Sequence, residues 1–360
     1  MSVTGVEPAE RPGNVTDVHA PAGPLKPVDT GRSLVEKILR MRSLGILAAL
    51  VVLVAVTTAK NSSFLSSQSI RDLLLAASIV AVLVVGQTVV MITKNIDLSV
   101  GSILGLSAFA AGSLMHSSPD LPIVVGILAG VAVGAVCGVV NAVLVRFGGV
   151  PALVVTLGTM YIFRGVAYFW AGGEQITADE MPASFLDLGT ASVLGVPILV
   201  LVALVAIAVT GVYLGRYRSG RDLYAIGSNG HAAELAGISV GKRTLAAFAF
   251  SGAMAGIAGV MFAARFGTVD AAAGTGYELN VIAACVVGGV AVVGGIGTIW
   301  GAALGALLLT TINSALPVLQ INQFWQQAIV GALILIAIAA DRIAAVRAAQ
   351  QLRKRSAHVE

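Results

Sequence analysis

The segment Gly288 to Gly297 (GGVAVVGGIG) has the glycine density of a phosphate-cradling loop or a dinucleotide turn. Either needs more than glycine: a Lys-Ser/Thr pair after the loop, or a strand before it and a soluble helix behind. Here it joins two apolar runs and has neither, so it reads as a tight interhelical turn. Other catalytic patterns fail in the same way, since the chain holds no HExxH and no paired acids of hydrolase geometry. The four His (His19, His116, His231 and His358) are scattered through tails and loops, and Cys137 and Cys285 sit inside apolar runs with no CxxC partner. No catalytic residue, metal site or bound cofactor is expected.

Transport chemistry leaves a different trace. Ion-driven carriers keep ionisable groups at mid-membrane, where a carboxylate binds and releases the coupling cation. The apolar runs here are almost free of charge. Arg164 comes nearest, toward the outer end of its run, where it is expected to snorkel or pair with an acidic loop. Uncharged polar groups do occur in the runs: Gln87, Thr88, Asn141, Thr156, Thr159, Thr311, Asn313 and Ser314. They suit a path for a neutral, hydroxyl-rich solute, and equally suit hydrogen bonds between helices. Gln87, Asn141, Thr156 and Asn313 are taken as the path candidates.

The elements that must position these residues follow from composition. Of 360 residues, 57% are hydrophobic and 11% charged, with a mean hydropathy of +0.92. Soluble domains are about 25% charged, so the solvent is a bilayer. Apolar runs fall at about 44–60, 70–92, 98–115, 121–145, 151–170, 196–214, 244–264, 278–293, 297–316 and 324–340, which predicts an all-α polytopic membrane protein of about ten transmembrane helices. Residues 1–42, with Pro12, Pro21, Pro24 and Pro27, read as a disordered cytoplasmic tail without a signal-peptide core, 43–341 as the transmembrane domain and 342–360 as a basic cytoplasmic tail. With both termini inside, 18 of the 22 Lys and Arg fall on the inner side and eight of the 18 acids on the outer. Lysine and arginine favour cytoplasmic loops, so membrane orientation accounts for the net charge of +4 without nucleic acid.

Two polar segments exceed turn length. Residues 171–195, outside and acidic, could meet a soluble partner or cap a cavity. Residues 215–243, inside and basic, contain a short helical stretch from about Asn229 to Ala236, a natural docking knob. Glycines recur every fourth residue at Gly126, Gly130, Gly134 and Gly138 in the fourth span, and at Gly297, Gly301 and Gly305 in the ninth. Small residues at that spacing let helix backbones approach closely. If spans 2–5 and 7–10 are two copies, the two ladders correspond and an offset of five spans inverts one copy relative to the other.

The run Asn95-Ile-Asp-Leu-Ser-Val-Gly101, followed by Ser102, resembles the IDLSVGS signature of permease subunits of bacterial sugar ABC importers of the ribose and xylose type. VPALVVTLGTMYIFRG (150–165), GSNGHAAELAGISV (227–240), SGAMAGIAGVMFAAR (251–265) and AGTGYELNVIAACVVGG (273–289) resemble four further blocks in the family's order, so the likeness spans about residues 45–340. It implies the ten-helix fold of type II importers, two cytoplasmic ATPase subunits that bind ATP-Mg, a second permease copy or paralogue, and an extracytoplasmic sugar-binding protein. It also implies a coupling helix between spans 6 and 7, which falls on Asn229, Ala232, Ala233, Glu234, Leu235 and Gly237. Asp97 would cap the first turn of the third helix. The chain departs from the family at Lys94-Asn95, where Gly-Gly is usual, at Asn280 for Asp, and at Val290-Ala291 for Thr-Ser. These changes bear on the substrate, not the fold.

The expected function is that of a plasma-membrane permease subunit, not an enzyme, moving a monosaccharide or similar small polyol by alternating access driven from a partner ATPase. A branched-chain amino acid permease shares this architecture and differs in substrate. A stand-alone carrier or channel would work without ATP.

Overall fold

The computed structural model describes residues 32–322 and 324–339, with side chains from Ser43 onward. The helices are α1 (Arg32–Lys60), α2 (Ser67–Ile92), α3 (Val100–Ser117), α4 (Ile123–Gly148), α5 (Ala152–Ala171), α6 (Ala183–Thr190), α7 (Ile198–Arg216), α8 (Arg218–Ser228), α9 (Gly230–Leu235), α10 (Val240–Phe266), α11 (Tyr277–Val287), α12 (Ile299–Val318) and α13 (Trp325–Ala339). A two-residue hairpin pairs β1 (Ser192–Val193) with β2 (Val196–Pro197). The described residues from Leu39 onward belong to one compact unit, and residues 32–38 to a separate one.

Local sequence sets the helix ends. Pro122, Pro151, Pro182 and Pro197 each stand immediately before a helix, at α4, α5, α6 and α7, where a fixed φ and a missing N–H cost nothing. Gly172 and Gly267 close α5 and α10 in the left-handed region, each returning its N–H to the helix. The first helix already runs from Arg32, so residues 32–42 of the expected disordered tail are helical. Arg, Leu, Glu and Lys favour helix, and neither Gly nor Pro interrupts them there. The rest of that tail, and the C-terminal tail, lie outside the described residues.

Among the described residues, eight helices are long and apolar enough to cross a membrane: α1 to α5, α7, α10 and α12. The eighth and tenth expected spans are shorter. The run 278–293 yields only the 11 residues of α11, rising about 16 Å against a hydrocarbon core of about 30 Å. It stops because Gly288 leads into Gly289, which has a φ of 93°. Gly297 is also outside its expected helix: α12 starts at Ile299, capped by Thr298, whose Oγ1 accepts from the Gly301 N–H at 3.1 Å.

Helix packing follows the exchange of spans 2–5 with 7–10. Helix α10 packs on α4 as α2 packs on α12, α10 on α3 as α2 on α11, and α3 on α4 as α11 on α12. The pairs α2–α10 and α3–α11 map onto themselves. Both chain breaks that precede a self-paired helix carry the same Asx turn, Asp97 Oδ1 accepting from Ser99 N and Asp270 Oδ1 from Ala272 N, each at 2.9 Å. The expected internal duplication is therefore present in the contacts.

Helices α2 and α3 are the most buried of the spans, and α1 the least, exposing Leu44, Val51, Val52 and Val56. Connections on one side of the bundle carry Lys94, Arg146, Arg216, Arg218, Lys242 and Arg243, and this side is called the basic face below.

Candidate functional site: a capped docking helix and a buried polar lock

The segment 215–243 is more ordered than its polar sequence suggests. After α7, helix α8 lies with Leu223 and Ile226 buried, and Tyr224 donates its hydroxyl to the Gly297 carbonyl at 3.0 Å. Burial pushes the Tyr224 hydroxyl up to about 12, so it stays a donor. Gly227 sits where a Cβ would meet the Gly295 N and the Ile92 carbonyl, so α8 touches the end of α2 and the glycine-rich link before α12 at one point.

Helix α9 follows at once. Asn229 caps it, its side chain accepting from the Ala232 N–H at 3.0 Å, and Gly237, at a φ of 79°, closes it with its N–H on the Glu234 carbonyl at 2.9 Å. Ala233 is buried against the protein, whereas Ala232, Glu234 and Leu235 face outward, Leu235 with 79% exposure. The six residues singled out for this helix therefore fall on one short capped element, with Ala233 turned inward and the others outward. Helix α8 was not legible in advance, although its apolar positions at Leu223 and Ile226 carried the signal.

Behind it the α2–α3 junction (residues 93–99) is locked by polar groups from four helices. Asp97 is fully buried. Its Oδ1 accepts from the Ser99 N–H at 2.9 Å and the Ser99 hydroxyl at 2.6 Å, and its Oδ2 faces Ser251 Oγ of α10 at 3.5 Å. Asn141 of α4 donates to Ser99 Oγ at 2.7 Å and accepts from Thr159 Oγ1 of α5 at 2.6 Å. Thr156 donates to the Ile96 carbonyl at 3.1 Å. With its amide oriented to pair, Gln87 of α2 donates to the Asp97 carbonyl at 3.2 Å and accepts from the Asp97 N–H at 3.3 Å. Buried polar groups must be bonded, and here each closes on another. Asp97 thus bonds the N-cap residue Ser99, one step ahead of the first turn that the sequence assigned it to cap.

Of the four path candidates, the structure brings Gln87, Asn141 and Thr156 together, turned into protein around this junction. Asn313 is apart from them, on α12, with its Oδ1 buried and unbonded, one residue before Ser314 in a polar cavity of about 330 Å³ that also includes Asp72 and Arg265. Lys94 adopts a φ of 66°. Glycine adopts that conformation without strain.

The opposite face is closed by residues 171–195. Ile176 bridges Val269, Phe185 of α6 is fully buried, and Glu180 Oε2 accepts from the Thr177 N–H at 2.8 Å and its hydroxyl at 3.0 Å. These bonds hold the Glu180 carboxyl below its ordinary range, and the Thr177 hydroxyl does the same for Asp179. Arg164 does not pair with this acidic segment. It donates to the carbonyls of Ala271 and Ala273, clamping the α10–α11 junction. A guanidinium this far inside finds backbone oxygens closer than exposed carboxylates.

The glycine ladder of α4 meets glycines of α10. A Cβ on Gly134 would stand 2.6 Å from Gly256 Cα, and one on Gly138 would stand 3.0 Å from Gly252 Cα. Gly126 faces Met115 and Gly130 faces Val260. In the second copy Gly301 and Gly305 abut the carbonyls of Gly288 and Ala284, and Gly297 packs on Val290.

Residues 69–338 match the family described as branched-chain amino acid transport system / permease component. The autoinducer 2 import system permease protein LsrC of Enterobacter sp. (strain 638) is 37% identical over 304 residues, covering 84% of this chain and 88% of the relative. The protein of that name from Escherichia coli (strain K12 / DH10B) is 36% identical over 300 residues, 83% and 86% of the two chains, and that from Salmonella paratyphi B 38% identical over 289 residues, 80% and 82%. No solved structure matches. The long apolar helices, the paired pattern of their contacts and these likenesses agree, and the chain belongs to this family, that of the multi-pass membrane permease components of ABC importers.

Proposed function

We propose that the chain forms half of a transmembrane pathway for a small, hydroxyl-rich solute, a monosaccharide or similar polyol, delivered by an extracytoplasmic binding protein and moved at the expense of ATP on a separate ATPase. The observation that carries this reading is α9: a six-residue helix capped at both ends, presenting an exposed Leu235 on the basic face and continuing through α8 and α10 into the bundle core. The basic face is then cytoplasmic, as the lysine and arginine bias requires. The relatives' names make autoinducer 2 the first solute to offer, with ribose and xylose beside it.

The path runs along the exposed face of α5, against a second permease copy. Helices α4 and α7 expose mainly Val and Leu, as a lipid-facing surface does, whereas α5 also exposes Tyr161, Tyr168 and Trp170 beside Gly158 and Gly165, with Arg164 at its edge. Aromatic faces and hydroxyls bind sugars, and a strip of glycine leaves them room. Gln87, Asn141 and Thr156 hold the junction behind that path, and Asn313, on α12, stands apart from it.

The test is to purify a tagged copy in mild detergent from its native cell, identify what accompanies it, and reconstitute the assembly with each solute. An accompanying ATPase and solute-binding protein, with ATP-dependent uptake of one of the sugar-like solutes, is the expected result. Uptake of leucine alone assigns the amino acid substrate, and solute movement by the chain alone without ATP refutes the importer reading.

A further inference from the structure

Two cavities on the basic face share Arg243. The first, about 360 Å³, lies between α2, α7, α8 and α10, walled by Val89, Val209, Tyr213, Leu223, Ala247 and Phe250. That volume is at the lower end of ligand sites, about 300–1,000 Å³. Val209 is 63% exposed, on the same bare stripe of α7 as Val205 and Val212, so the chamber borders the surface that faces hydrocarbon. The second, about 390 Å³, is lined by Arg218, Asp222, Ser239, Lys242 and Arg243.

Charge in the second chamber is unbalanced. Asp222 is committed to Arg243, Oδ2 to Nη2 at 2.7 Å, and among the described residues no carboxylate pairs with Arg218 or Lys242. The 27-residue helix α10 also starts here, with Ser239 as an N-cap whose side chain makes no capping bond. The positive end of the helix dipole adds to the two cations. An apolar chamber bordering hydrocarbon, joined through one arginine to a cationic chamber at the polar boundary, has the layout of a phospholipid. A soluble anion would have no use for the first chamber.

We propose that these chambers bind one anionic phospholipid, an acyl chain between α7 and α10 and the phosphate headgroup on Arg218, Lys242 and Arg243. The lipid would tie α8 to α10, and with it the two attachments of α9. The inference is independent of which solute is carried.

Native mass spectrometry of the full chain, after incubation in mild detergent with equal amounts of phosphatidylglycerol and phosphatidylcholine, reads the site directly. The unmodified chain should retain one phosphatidylglycerol with a preference on the order of tenfold, as two unpaired surface cations imply. The double variant R218Q/K242Q should lose the preference, and Ala246→Trp, which fills the mouth of the first chamber, should lose the lipid with the cations intact. Melting in phosphatidylcholine nanodiscs checks the fold of each variant, and if Ala246→Trp does not fold the charge variant decides. Equal retention of the two lipids by the unmodified chain, an undiminished preference in the double variant, or displacement by inorganic phosphate, the mark of a soluble-anion site, overturns the proposal.

Discussion

Gly134→Ala adds one methyl group at the tightest part of the α4–α10 seam. Its Cβ would stand 2.6 Å from Gly256 Cα and 2.7 Å from Gly256 N, and closer still to the Gly252 carbonyl. Carbon atoms rest about 3.5–4.0 Å apart, so the two helices must part by about 1 Å. Every obstacle is backbone, which cannot turn aside as a side chain would. The seam extends over Gly134, Gly138, Gly252 and Gly256, so the separation loosens contacts along two turns of both helices. The expected cost is about 3 kcal/mol, the upper end of overpacking, and lowers the melting temperature by about 4 °C. Gly158→Ala on α5 is the control: nothing stands within 4 Å of its Cβ position, and replacing a mid-helix glycine there gains about 0.5–1 kcal/mol. Thermal unfolding of both variants, followed by fluorescence-detected size exclusion in one detergent, measures the difference. If Gly134→Ala melts within about 1 °C of Gly158→Ala, the seam is not close-packed and the argument is wrong.

Asn141→Leu removes both ends of the Ser99–Asn141–Thr159 chain and takes one bond from each of two buried hydroxyls, Ser99 keeping Asp97 and Thr159 the Thr156 carbonyl. It should destabilise by about 2–4 kcal/mol, while Thr88→Val on α2, whose hydroxyl only faces Cys285 Sγ at 3.5 Å, should cost less than about 1 kcal/mol in the same melting assay. Glu234→Pro lies inside α9 and should abolish ATP-driven uptake in reconstituted vesicles while the protein still inserts and melts as before; coupled transport at the normal rate would exclude α9 as the docking element. The segment 171–195, on the face opposite the basic one, should withstand mild acid. Glu180 and Asp179 titrate below their ordinary range, so the ordering they give is complete above the unfolded values and is lost as pH falls through the lowered ones. Hydrogen exchange of Thr177 to Glu180 should therefore be unchanged down to about pH 5 and rise below about pH 4.

What the sequence made legible was whatever depends on local composition. Ten apolar runs appear as ten helices because burial in hydrocarbon needs no partner to be favourable, and the loop asymmetry of Lys and Arg needs no packing either. The α4 ladder was readable for the same reason: Gly126 to Gly138 share a face by helix periodicity alone. The length of α11 was not, since an apolar run continues past Gly288 and Gly289 although the backbone turns there. Nor could the lock around Asp97 be found from spacing. Asn141 and Thr159 are 18 residues apart and Asp97 and Ser251 are 154 apart, and only the packing of α3, α4, α5 and α10 brings them together. Asn141 and Thr159 were visible as polar residues in apolar runs, which told that each had a partner and not which one.

The contact at Gly227 makes the basic-face segment a mechanical fulcrum. Its backbone bears at once on Ile92, at the end of the first copy's opening helix, and on Gly295, in the link that leads into the second copy's α12, with the Tyr224 hydroxyl pinning Gly297 beside it. A load applied to α9 therefore divides between the two copies at a single rigid bearing, with no flexible side chain interposed to store or delay it. Both copies meet there through backbone, the Gly295 N–H bonding the Ile92 carbonyl at 2.9 Å.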